Sequence, residues 1–88
     1  MPPYRLQFKG SVEKDLRRLD AEPLKRVLKR IERLAEDPLP RQTTKLSGGE
    51  RLFRLRVGDY RIIYEVDSAT RSVTIHYVRH RSVAYDRL

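Results

Sequence analysis

Arg51-Leu52-Phe53-Arg54-Leu55-Arg56-Val57-Gly58-Asp59-Tyr60-Arg61-Ile62-Ile63-Tyr64-Glu65 is two apolar-alternating runs joined at Gly58-Asp59. In the first run Phe53, Leu55 and Val57 share one phase, and Arg54 and Arg56 share the other. A strand's side chains alternate with a period of two, so the first set faces a core and the second places two guanidiniums side by side. In the second run Tyr60, Ile62, Tyr64 and Val66 share a phase, with Arg61, Ile63 and Glu65 opposite them. Gly58 tolerates the positive φ of a short hairpin turn. The stretch therefore predicts a β-hairpin whose Arg54, Arg56 and Arg61 converge on one exposed face and invite a polyanion.

Working outward, Tyr4, Leu6 and Phe8 alternate with Arg5 and Gln7, which predicts a first strand, antiparallel or at an edge. Gly10 breaks it and Ser11 is a candidate N-cap. Val12, Leu16 and Leu19 recur at helical spacing, with Glu13, Lys14, Asp15, Arg17 and Arg18 read as a solvent face. After a break at Asp20 to Pro23, Leu24, Val27, Leu28, Ile31, Leu34 and Ala35 form a longer apolar stripe that ends at Asp37-Pro38-Leu39-Pro40. The basic residues of this second helix read as a salt-bridged, solvated surface. Pro40 to Glu50 reads as a loop anchored by Leu46, with Ser47-Gly48-Gly49 adding flexibility. Beyond the hairpin, a turn around Ser68-Ala69-Thr70 leads to a third meander strand from Val73 to Val78. The polar tail carries Tyr85, and Ser82 is a cap for a short final helical turn. The order β-α-α-β-β-β predicts an α+β fold: an N-terminal strand and helical hairpin packed on an antiparallel meander, all within one domain spanning residues 1–88.

Composition bounds the function. A net charge of +8 on 88 residues favours nucleic acid, an anionic membrane or an acidic protein as partner. With no cysteine there is no disulfide or thiolate chemistry. No apolar run has membrane-spanning length and the start is no signal peptide, so the expected location is the cytoplasm. His76 and His80 stand without a carboxylate cluster, so neither a metal site nor any other cofactor is expected. No Gly-x-Ser-x-Gly occurs, and Ser47, Ser68, Ser72 and Ser82 all read as turn or cap residues.

What remains is Arg54, Arg56 and Arg61 from the hairpin, Arg79 and Arg81 after the last strand, and Tyr85 in the tail. That set suffices to cut RNA, where the 2′-hydroxyl is already the nucleophile. Arginine forks stabilise the phosphorane. A tyrosine near guanidiniums has its phenolate favoured below the ordinary value of ~10 and can take the proton. His80 is a conceivable proton donor by its pKa range. Strict alternation, however, puts Arg79 on the core phase with Val73, Ile75 and Tyr77, so either the strand ends or bulges before it, or Arg81 serves instead.

The chain resembles the RelE/ParE superfamily of type II toxin–antitoxin toxins. The resemblance rests on the element order, Lys45-Leu-Ser-Gly, Phe53-Arg-Leu-Arg-Val, Gly58-Asp-Tyr-Arg-Ile-Ile-Tyr64 and the ending His80-Arg-Ser-Val-Ala-Tyr85. The RelE-like branch implies an endoribonuclease that depends on the ribosome and cuts mRNA in the A site. It implies catalytic roles for Arg54, Arg56, Arg61, Arg79, Arg81 and Tyr85, with Lys45 and Arg51 joining Arg54 and Arg56 as RNA contacts. It also implies a cognate RelB-like antitoxin with an acidic binding segment, and operator DNA reached only through the complex. A gyrase-poisoning ParE-like toxin and a non-catalytic basic RNA-binding domain are the competing expectations.

Overall fold

The computed structural model describes residues 3–46 and 51–82. In chain order they form β1 (Arg5–Phe8), α1 (Val12–Arg17), α2 (Ala21–Leu34), β2 (Thr43–Lys45), β3 (Leu52–Val57), β4 (Tyr60–Asp67) and β5 (Ser72–His80). The strands form one five-stranded sheet in the order β1-β5-β4-β3-β2. The α+β class is as expected, and the sheet corrects the expectation in two places. First, β1 is at an edge but pairs with β5 in parallel, so the sheet is mixed. Second, the presumed loop contains β2, which pairs antiparallel with β3 through Thr43↔Leu55, Thr44↔Arg54 and Lys45↔Phe53. Thr-Thr-Lys has no apolar alternation, so this strand depends on β3's free edge rather than on its own pattern.

The hairpin forms as its sequence dictates. Val57 pairs with Tyr60 across a two-residue turn, and Gly58 has φ of +59°. A residue with a Cβ would be strained there. Leu55, Val57, Ile62, Tyr64, Val73, Ile75 and Val78 bury one sheet face against Val12 of α1 and Val27, Ile31 and Leu34 of α2. Burying each such side chain is worth roughly 1.5–3 kcal/mol. Leu28 drops out of the expected stripe, since 39% of it is exposed. Phe8 shares the core phase but lies half exposed at the end of β1.

α1 departs from its expected role. Ser11 is at the N-cap position, but its side chain makes no capping hydrogen bond. Asp15, expected on the solvent face, is buried with 6% exposure. β1 pairs with β5 only as far as Phe8↔Ile75, and the Lys9 N–H adds a bond to the Ile75 carbonyl. Beyond that point the outward N–H of Val78 needs another acceptor. Asp15 Oδ2 accepts it at 3.0 Å.

Tyr64 ties the sheet to the connection after α2. Its ring is fully buried, its hydroxyl donates to the Pro38 carbonyl at 2.7 Å, and it lies 3.1 Å from Thr43 Oγ1. Burial pushes its pKa above 10.0, and the hydrogen bond to Thr43 only partly offsets this. Tyr64→Phe leaves Pro38 and Thr43 short of a partner and is expected to lower unfolding stability by about 1–3 kcal/mol at neutral pH. Because the folded state holds the phenol proton more tightly, Tyr64's own contribution is full below the ordinary tyrosine pKa and is lost as pH rises through the raised one. Urea melts at rising pH should therefore bring the two proteins together in alkali. Parallel curves would refute the assignment.

Candidate anion-binding face

Cross-strand register decides which side chains share the face away from the helices. On β3 and β4, Arg54 is opposite Ile63 and Arg56 is opposite Arg61. On β4 and β5, the pairing shifts between Ile63 and Tyr64: Tyr64 pairs with Ile75, but Ile63 pairs with Tyr77. His76 is therefore an extra residue in β5, a bulge that reverses the strand's phase. Val78 then pairs with Ile62 on the core face, and Arg79 pairs with Arg61 on the other. The question left by strict alternation is answered by the bulge: Arg79 joins the arginines.

Arg56, Arg61 and Arg79 thus form a row across three strands, and the next row is Arg54, Ile63 and Tyr77. Arg61 is buried with 6% exposure, Arg56 is exposed, and Arg54 and Arg79 are half-buried. Like charges directly opposite each other destabilise a sheet. Two carboxylates of the described residues lie at the margins of the row. Asp15 Oδ1 is 3.5 Å from Arg79 Nε, and Asp59 Oδ1 is 3.9 Å from Arg81 Nη1. Glu65, on the same face, is 3.1 Å from His76 Nε2. Arg56 Nε donates to the Gly58 carbonyl at 3.2 Å, turning this guanidinium toward the hairpin turn.

The other expected site residues divide. Arg81 borders the row at the hairpin turn, where its backbone N–H donates to the Asp59 carbonyl at 2.7 Å. Lys45, opposite Phe53, is in the core-face phase and not with the arginine row. Arg51 is at the far end of the hairpin, paired with Asp67 at 3.1 Å. Tyr85 and the expected final helical turn beyond Ser82 lie outside the described residues. His80 pairs with Tyr60, with ring centroids 5.3 Å apart, which puts it on the opposite face from Arg61.

Two residues enter that sequence reasoning did not place here. Tyr77, assigned to the core by alternation, lies on the arginine face, with the Arg79 guanidinium 4.6 Å from its ring centre. Its pKa is raised, chiefly by burial, with Arg79 acting the other way, so it stays a neutral phenol at physiological pH. Arg26 of α2, read as part of a solvated face, reaches the hairpin turn: its guanidinium lies 3.8 Å from where a Cβ on Gly58 would sit. The phase conflict at Arg79 was the available signal for Tyr77. Nothing local marked Arg26.

The frame is thus a mixed sheet with two helices on one face and an arginine row on the other. The model of the ParE toxin of type II toxin–antitoxin systems matches residues 6–85. A protein designated RelE1 in Methanocaldococcus jannaschii is 29% identical over 85 residues, covering 93% of this chain and 94% of that protein. The archaeal RelE-RelB complex of Pyrococcus horikoshii OT3 contains a chain 32% identical, with TM-score 0.80, covering 90% of this chain and 96% of that one. The RelBE2 toxin–antitoxin complex of Mycobacterium tuberculosis contains another, 32% identical with TM-score 0.78, covering 90% and 99%. The chain belongs to the ParE toxin family of type II toxin–antitoxin systems, within the RelE/ParE superfamily, and is RelE-like.

A row of like charges should be relieved by a bound oxyanion. Inorganic phosphate is expected to raise the melting temperature more than chloride at equal ionic strength, since binding to the folded state stabilises it. Arg56→Gln should shrink the excess. Equal effects of the two anions would count against a phosphate-facing row.

Proposed function

We propose that this toxin is a ribosome-dependent endoribonuclease that cuts mRNA in the A site, with residues 1–88 acting as one domain. The cross-strand row of Arg56, Arg61 and Arg79, with Arg54 beside it, carries the reading. Guanidiniums brought together on one face suit the oxygens of a scissile phosphodiester. The 2′-hydroxyl attacks the adjacent phosphorus, the P–O5′ bond breaks, and the products are a 2′,3′-cyclic phosphate and a 5′-hydroxyl. Arginine forks stabilise the dianionic phosphorane as charge develops. Tyr85 is assigned as the base that withdraws the 2′ proton. Tyr77 is unsuited to that task because its phenol pKa is raised, and it serves instead as a ring beside Arg79. Arginine hardly gives up a proton at neutral pH, so positive charge from the row and Arg81 stabilises the departing 5′-oxygen, which takes its proton from water to become the 5′-hydroxyl. This scheme calls for no metal or organic cofactor.

A chain of net charge +8 must be neutralised when idle. The relatives from Pyrococcus horikoshii and Mycobacterium tuberculosis are seen as toxin–antitoxin complexes. That supports a cognate RelB-like antitoxin here; the acidic binding segment, and operator DNA reached only through the complex, belong to the proposal alone. The ribosome and its mRNA are the remaining partners. No helix of the described residues is long and apolar enough to cross a membrane, in keeping with action on ribosomes in the cytoplasm. The match to the ParE family model favours one second reading, a gyrase-poisoning toxin.

Primer extension on a translated message separates them. Induction of the wild type should give cuts inside the reading frame that vanish when translation is blocked. Arg61→Ala and Tyr85→Phe should each lower the cleavage rate by roughly 10²–10³-fold, the scale of losing one transition-state partner. Growth arrest without cuts would overturn the nuclease reading in favour of gyrase.

A further inference from the structure

Asp15 is an unusual residue to bury. It is on a six-residue helix whose neighbouring charges face solvent, yet it is 6% exposed. Its two oxygens do separate things. Oδ2 accepts the Val78 N–H at 3.0 Å, closing the edge of β5 where β1 has ended. Oδ1 faces Arg79 Nε at 3.5 Å, an ion pair too loose to be a hydrogen bond. The two contacts are to consecutive residues just after the His76 bulge, where the strand's phase has been reset. A bulge loosens local pairing. The carboxylate therefore grips the re-phased strand by its backbone and the first functional side chain beyond the bulge by its charge.

We propose that Asp15 is a positioning residue that holds Arg79 in the cross-strand row, an inference that rests on the nuclease reading of that row. Asp15 makes its pair with Nε at the margin, and the Nη groups of Arg79 are the ones assigned to a phosphate. It also offsets one charge of a row in which Arg56, Arg61 and Arg79 repel each other. Tyr77 borders the same guanidinium, 4.6 Å away, so Arg79 is held by an acid on one side and a ring on the other.

Asp15→Asn separates the two functions of the carboxylate, because its amide oxygen still accepts the Val78 N–H while the charge facing Arg79 is lost. The expected result on mRNA-programmed ribosomes is a kcat reduced about tenfold, within the range seen when a catalytic group is misplaced. KM should hold or fall, because the variant is more positive and phosphate binding is not weakened. A merely structural residue would raise KM and leave kcat per folded molecule unchanged, and that outcome overturns the proposal. Arg79→Lys keeps the charge but loses Nε–H, and should reproduce the kcat loss. The double variant should be no worse than either single, since the two act through one contact. If Asp15→Asn does not fold, wild-type kcat in Arg79→Lys overturns the proposal by itself. A second readout is independent of activity: the Nε–Hε resonance of Arg79 in the free protein should be distinct in wild type and merge with the exposed arginines in Asp15→Asn. An unchanged resonance overturns the tether. A changed resonance in a protein whose wild type cuts nothing retains the tether and overturns the nuclease reading instead.

Discussion

One extra residue in β5 decides which way the end of the sheet points. Up to Ile75, the strand sends Val73 and Ile75 into the core, and strict alternation would send Tyr77 and Arg79 after them. An arginine turned inward toward Leu55 and Ile62 would lose its hydration, a costly burial for a charged group. The bulge at His76 turns Val78 inward and Arg79 outward. The same nine-residue strand can then complete the core in its first half and complete the arginine row in its second. Glu65, beside His76, ties the bulged residue to the neighbouring strand.

The two faces of the sheet are therefore built on opposed principles. The helix face gains from every contact it makes. The other face aligns guanidiniums against their mutual repulsion, and it holds only because the backbone beneath it is fixed by the helix face. Asp15 and Asp59 stand at the ends of the arrangement rather than inside it. A local conflict of this kind, in a chain whose other levels agree, is the ordinary mark of a functional surface. The conflict is tolerable in a small domain because Ile63, buried in the second row between Arg54 and Tyr77, gives that face an apolar anchor of its own.

The parts of this arrangement that were legible in sequence are those coded locally. Gly58-Asp59 and the alternation around it specify the hairpin, and with it the common face of Arg54, Arg56 and Arg61. The stripe through Val27, Ile31 and Leu34 specifies α2. The illegible parts depend on partners distant in sequence. A bulge has no residue code, so alternation alone puts Tyr77 on the core face and leaves the side taken by Arg79 open. β2 exists because β3 offers an edge, and β1 runs parallel to β5 because the meander returns across the sheet to meet it. Asp15 looks like any helix-surface acid until β1 is seen to stop short of Val78. Lys45 and Arg51 are expected beside the arginines by the resemblance, but one takes the core phase and the other the far end of the hairpin.

The superfamily joins toxins that resemble one another in fold while differing in what they attack, so the choice of chemistry rests on the side chains away from the core. The arginine face is more informative. A toxin that acts by docking on a protein needs shape and scattered charge, and gains nothing from stacking guanidiniums in cross-strand register at a cost in stability. A toxin that must stabilise a phosphorane needs that convergence, because charge develops on adjacent oxygens of one phosphorus and has to be met from a rigid surface. The arrangement of Arg56, Arg61 and Arg79 fits the second demand and is hard to account for under the first. On that ground the RelE-like chemistry is the better reading even though the family model that matches bears the ParE name.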